Sequence, residues 1–310
     1  MEKRPLPGDT LERRLRAGRR DQLYQFLLDF GGIRGAILHA TRVIDEMRAN
    51  HRLGPLETLV LGQAYVAAGL MTVNLKSPES LTVKVDCSGP IGGLTVDGNA
   101  FGEVRGYLAQ DPIPLAADGK VPRLQDLFGS GTLAVTKHLR DGAHPFTGVV
   151  EMRYGSLAED LSYYFVTSEQ TPSALSLSVA FDGAGQLTGA GGVFLQALPG
   201  ARDEQVNDVE RLLRQLPSIG AAFAAGEEPR ALLERAFGAH EPVIIARRRV
   251  VFMCHCSAPR FRSHLGALPR AELQDMLDRG PLPVETTCLY CNTSYSFDRD
   301  QIVELLAASG

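Results

Sequence analysis

The sequence predicts an α+β protein: an N-terminal mixed α/β core domain, a helical linker and a small C-terminal domain carrying four cysteines. Three observations lead there. Helical and strand periodicities mix through the first 199 residues without a regular βαβ repeat. The chain changes character after Leu198-Pro199-Gly200, where a clear helical stripe gives way to a broken one. Four of the five cysteines fall in the last 60 residues, in two short pairs. At 310 residues and 44% hydrophobic, the chain suits two or more units rather than one small core.

Taken in order, residues 1–20 hold seven Lys/Arg and three Asp/Glu and lack the apolar stretch of a signal peptide, so they read as a flexible, basic, solvated tail. Leu23, Phe26, Leu27 and Phe30 recur at i, i+3, i+4 and i+7, which predicts a short amphipathic helix over Asp21 to Phe30. Ala36 to Ala40 reads as a strand and Thr41 to Asn50 as a helix. Pro55 to Leu75 is a longer helical run with Pro55 near its start, and Ala64, Ala67, Ala68 and Gly69 allow close packing. Leu81, Val83 and Val85 alternate with Thr82, Lys84 and Asp86, the pattern of a half-buried strand. Leu94 to Val96, Val104 to Leu108, Leu133 to Leu139 and Thr147 to Arg153 are further strands. Ser156 and Glu159 form a capping box for a helix through Phe165. Leu175 to Phe181 and Gly192 to Gln196 are strands again. The glycines at 183, 185, 189, 191 and 192 are followed by β-like residues, so they predict a hairpin and not a phosphate loop. This closes the core domain at 21–199.

In residues 200–250, Val206, Val209, Leu212, Leu213 and Leu216 line one helix face, and Leu232, Leu233 and Phe237 mark a second short helix. Pro217, Gly220, Gly226 and Pro229 interrupt them. The segment reads as a helical linker without a large core of its own.

Residues 251–310 form the cysteine domain. Cys254 and Cys256 are one residue apart, Cys288 and Cys291 two, and 31 residues separate the pairs. That spacer, with a helix over Pro269 to Arg279, is long enough to fold back and set four sulfurs at the corners of a tetrahedron, which suits Zn²⁺. The expectation is one Zn²⁺ per chain on Cys254, Cys256, Cys288 and Cys291. His255 and His264 are the competing ligands, and His255, between two cysteines, is expected to point away. Cys87 stands apart and reads as packing. An odd cysteine count without a secretion signal argues against a disulfide framework.

Composition narrows the function classes. A formal charge of −4 gives no general attraction to nucleic acid or anionic membranes. The cysteine domain holds five Arg against seven Asp/Glu, and a four-thiolate Zn²⁺ centre adds two negative charges, so it makes a poor nucleic-acid clamp despite Arg247–Arg249 beside it. No segment is uninterruptedly apolar over the ~18 residues of a membrane span, and the cytoplasm is the expected location. His138, Ser168 and Glu169 share no catalytic spacing, and four cysteines would close the position a catalytic zinc needs, so no enzyme is expected. Two readings of the metal site remain open. It is a structural zinc ribbon that binds a partner or nucleic acid, or a switch, because thiols of a Cys-x-Cys pair lie near enough to react once metal leaves.

Several stretches resemble the redox-regulated heat-shock chaperones of the 33 kDa chaperonin family. They are the cysteine pattern followed by Asn292, Tyr295, Phe297 and Asp298, together with Asp21–Phe26, Ser88–Gly93, Val104–Tyr107, Tyr164–Ser173 and Gly191–Gln196. The resemblance runs from about Asp21 to the end. It implies an ATP-independent holdase, inactive while its cysteines hold zinc. Oxidation would form Cys254–Cys256 and Cys288–Cys291 disulfides, release the metal and unfold the zinc domain and linker. The active form would be a homodimer that binds unfolded client proteins. Residues 1–20 are additional to the family pattern, and Cys87 has no role in it.

Overall fold

The computed structural model describes residues 1–6, 9–10, 21–29, 32–115, 122–139 and 144–309. The chain opens with β1 (Gln22–Leu28), β2 (Ile33–His39), α1 (Thr41–His51) and α2 (Pro55–Met71). β3 (Ser80–Cys87), β4 (Gly93–Asn99), β5 (Glu103–Leu108), α3 (Leu124–Phe128), β6 (Gly131–His138) and β7 (Phe146–Glu151) follow. Then come α4 (Leu157–Thr167), β8 (Ser173–Phe181), β9 (Leu187–Ala197), α5 (Asp203–Gln215), α6 (Ile219–Ala224), α7 (Pro229–Phe237) and β10 (Val243–Arg249). The C-terminal module is β11 (Val251–Phe252), α8 (Ala258–Gly266), α9 (Arg270–Asp278), β12 (Val284–Thr287), β13 (Ser294–Phe297) and α10 (Arg299–Ala308).

Two sheets enclose the N-terminal core. One is antiparallel in the order β10-β1-β2-β9-β8. The other runs β11-β5-β4-β3-β6-β7, antiparallel except for the parallel β11–β5 pair. α2 touches strands of both sheets and is buried on nearly all sides. Its small residues permit this: a Cβ on Gly69 would lie 2.8 Å from Leu38 Cδ2. The segment Pro55–Asn74 is long and apolar enough to cross a membrane, yet 78% of its apolar window is buried in the protein, as in a core helix. The period-two strands and the hairpin over the glycines form as the sequence predicts, with β8 and β9 joined through Asp182–Gln186.

Several elements depart from expectation. The predicted helix over Asp21 to Phe30 is β1, while Phe30 itself lies outside the described residues. β1 is an inner strand buried on both faces. Leu23 joins the core between the sheets, whereas Phe26 and Leu28 join a second core on the opposite face. Two-sided burial placed apolar residues at helical intervals. The capping box at Ser156 is replaced by buried Asp160, whose Oδ1 accepts from the Arg153 and Tyr154 N–H groups and Oδ2 from that of Ser156.

The linker shares a core with the first sheet. Val209, Leu213, Ile219, Phe223, Leu232, Leu233 and Phe237 pack on Phe26, Leu28, Ile33, Ile37, Val193 and Leu195 of the first sheet. Its last segment is a strand, β10, that completes that sheet. The expected solvated tail is docked over Met1–Leu6, with Leu6 buried, because its backbone finds partners on α1 and the cysteine loops. Residues 11–20 of that tail lie outside the described residues.

Candidate metal centre

Two local structures bring the cysteines together. β11 adds to β5 with Val251 opposite Glu103 and fully buried Phe252 opposite Val104, which fixes where Cys254 and Cys256 leave the sheet edge. Cys288 and Cys291 occupy the turn between β12 and β13. There the Asn292 and Cys291 N–H groups donate to the Cys288 carbonyl (2.7 and 3.3 Å), and the Cys288 N–H donates to the Thr293 carbonyl (2.9 Å). Asn292 takes a left-handed conformation, φ +55°, which asparagine tolerates better than most residues. The intervening chain and the segment after Cys291 together build a small core of Leu265, Leu273, Leu277, Phe297 and Ile302.

The four sulfurs lie within 4.8 Å of one another, positioned to hold a metal ion. Sγ of Cys254 is 3.8 Å from that of Cys288, and Sγ of Cys256 is 3.3 Å from that of Cys291. A tetrahedron with Zn–S bonds of about 2.3 Å has edges of about 3.8 Å, so the donor set fits zinc in size as well as in softness. Cys254, Cys288 and Cys291 are buried and Cys256 is half-buried. Hydrogen bonds from Cys288 and Cys291 hold the Cys254 thiol far below its usual range. Cys288 is pushed well up by its contact with Cys254, and Cys291 is raised to about 11 by its contact with the same sulfur. Sulfurs this close resist ionising together, and a divalent cation removes that restriction.

Neighbouring groups hydrogen-bond the sulfurs, Arg105 and Tyr295 as donors and the Thr293 hydroxyl as acceptor from Cys291. Arg105 Nη1 lies 3.6 Å from Cys254 Sγ, the Tyr295 hydroxyl 3.1 Å from Cys256 Sγ, and the Thr293 hydroxyl 3.3 Å from Cys291 Sγ. Arg105 comes from β5, forms an ion pair with Asp97 at 3.0 Å and stacks over Tyr290 at 4.4 Å. The cluster is thus seated on the core domain. Asn50 of α1 donates to the Cys291 carbonyl (3.0 Å), Asn292 donates to the Asn50 carbonyl (3.1 Å), and Tyr107 meets Tyr290 edge to face.

His255 turns away from the sulfurs and meets Glu103 at 2.8 Å, and His264 lies on α8 against Phe261. Cys87 ends β3 outside the cluster, half-buried, with its thiol pushed up by burial. Sequence reasoning missed Asn50, Arg105 and Thr293 as groups around the site. Arg105 and Asn50 sit 149 and 241 residues upstream of the cysteines they approach, and no spacing rule joins them.

The comparisons with known proteins agree with this architecture. Residues 21–298 match the family model described as Hsp33 protein. The 33 kDa chaperonin of Desulforamulus reducens is 36% identical over 288 residues, covering 92% of this chain and 97% of the relative. That of Limosilactobacillus fermentum is 34% identical over 291 residues, covering 93% and 99%. The crystal structure of the 33 kDa chaperonin from Thermotoga maritima superposes with a TM-score of 0.84 at 32% identity, covering 93% of this chain and 98% of that one.

Proposed function

The chain belongs to the Hsp33 family, and from that premise we propose that it is an ATP-independent holdase chaperone switched on by oxidation of its cysteine cluster. The observation that carries the reading is the shell of four sulfurs at the seam between a weakly cored module and the core domain. In the reduced state Cys254, Cys256, Cys288 and Cys291 would hold one Zn²⁺. When bound, that ion would keep the four sulfurs as thiolates and tie the β11 segment to the β12–β13 turn. A structural zinc contributes on the order of 10 kcal/mol to such a module, and a core of five buried residues needs that support.

A peroxide would oxidise one thiolate of a pair to a sulfenic acid, releasing hydroxide. The neighbouring thiol would then displace the sulfenic oxygen as water, so each disulfide consumes one peroxide. All four sulfurs are mutually close while the cluster is intact. Once it opens, the short tethers favour Cys254–Cys256 and Cys288–Cys291, because sequence neighbours keep the highest effective concentration.

Opening of the module would free the C-terminal end of β10, an edge strand paired on one side only. Undocking of the linker would then bare Phe26, Leu28, Ile37 and Val193, an apolar sheet face suited to unfolded clients. The reading extends to a cytoplasmic protein, active as a homodimer. Light scattering of heat-denatured citrate synthase tests it. Peroxide-treated protein should suppress aggregation, reduced protein should not, and dithiothreitol should reverse the gain. Equal behaviour of the two forms would leave a structural zinc ribbon as the better account.

A further inference from the structure

The first residues of the chain bridge the seam at the cysteine cluster. On the module side, Met1 N donates to the Cys256 carbonyl (3.1 Å), the Cys254 N–H donates to Met1 Sδ (3.2 Å), and the Glu2 N–H donates to Thr293 Oγ1 (3.2 Å). Thr293 is the same hydroxyl that meets Cys291 Sγ, so Glu2 is one hydrogen bond removed from a sulfur. On the core side, Asn50 donates to the Glu2 carbonyl (2.8 Å) and accepts from the Arg4 N–H (3.0 Å). The Lys3 ammonium pairs with Glu46 and lies over the Phe252 ring. Further along, Arg42 clamps the Asp9 carboxylate with two hydrogen bonds, 2.6 and 2.8 Å, and that carboxylate is only 4% exposed. Leu6 is buried between these polar anchors.

The match to the family model starts at residue 21, so the arm lies outside that match. Yet its partners are the backbone of Cys254 and Cys256 and the α1 residue that holds Cys291. We propose that residues 1–6 and 9–10 act as an intramolecular strap, bound across the seam between cysteine module and core, that slows the opening of the cluster. What opening accomplishes rests on the switch reading above; the strap itself concerns only the rate of opening.

The physical reason is tethering. Opening the cluster requires the Cys254–Cys256 segment and the β12–β13 turn to leave α1, and the strap is bonded to all three. Each bond is weak alone, but a covalently attached peptide rebinds at high effective concentration, so modest contacts suffice. Lys3 and Asp9 set the register by charge, each facing an oppositely charged side chain of α1.

The test compares the full chain, reduced and loaded with zinc, with a variant lacking residues 1–10 and with the double variant Lys3→Glu/Asp9→Arg, which repels both charge anchors without shortening the chain. Zinc transfer to a chromogenic chelator is followed without oxidant, alongside hydrogen exchange in residues 288–293. Both variants should release zinc about tenfold faster, equivalent to ~1.4 kcal/mol, at unchanged starting zinc content, with faster exchange in that turn. Rates and exchange equal to the parent's would overturn the strap. A peroxide arm keeps the two ideas distinguishable. A parent that retains zinc through peroxide defeats the switch reading, while the chelator and exchange comparison still decides the strap.

Discussion

Replacing Phe237 by alanine should undock the linker while leaving the cysteine chemistry alone. Phe237 is 1% exposed and stacks on Phe26 of β1, with ring centroids 6.3 Å apart and an interplanar angle of 28°. It belongs to the core between linker and first sheet, which contains no cysteine. Truncating a buried phenylalanine costs about 3–5 kcal/mol. Phe26 stays on its strand, so most of that loss falls on the docked linker. At ~1.4 kcal/mol per tenfold, the open-linker population should rise roughly a hundredfold to several thousandfold. Hydrogen exchange of peptides from residues 203–249 in the reduced protein, with zinc content measured in parallel, reads this directly. Exchange should quicken across α5, α6 and α7 with zinc retained. Coupling is reciprocal and weakens the site somewhat, but a site worth on the order of 10 kcal/mol tolerates it. The reduced variant should also hold clients without oxidant. Unchanged exchange in these helices would refute the claim that this shared core docks the linker.

Three further outcomes follow from the site. X-ray absorption at the zinc edge of the reduced protein should show a sulfur-only shell, and nitrogen in that shell would restore His255 or His264 as a ligand. Peptide mapping after peroxide should find Cys254–Cys256 and Cys288–Cys291, and dominant crosslinks between the pairs would contradict the tether argument. Cys87→Ser should leave zinc content and oxidative activation unchanged, since that half-buried thiol lies outside the cluster and burial disfavours its thiolate; loss of either would give Cys87 a part in the switch.

What could be read from the sequence followed how each element is buried. β3 shows one face to the core, so Leu81, Val83 and Val85 alternate cleanly with more exposed neighbours. The cysteine pairs were legible because a tetrahedral site constrains short spacings. β1 was misread because both its faces are buried in different cores. β10 was hidden for the opposite reason: as an edge strand it carries Arg247, Arg248 and Arg249 and leaves Val243 and Ile245 exposed. The partners of the cluster at Asn50 and Arg105, and the docking of Met1–Leu6, depend on contacts between distant parts of the chain, which no local pattern records.

The central claim is that the cysteine cluster governs the folding of both the module and the linker. Hydrogen exchange of the whole chain before and after peroxide measures this most directly. Exchange should rise across residues 200–250 and 251–309 together, while residues 21–199 stay protected apart from the strand edges that the linker covers. A rise confined to the neighbourhood of Cys254, Cys256, Cys288 and Cys291 would make the metal a local clamp and contradict the account.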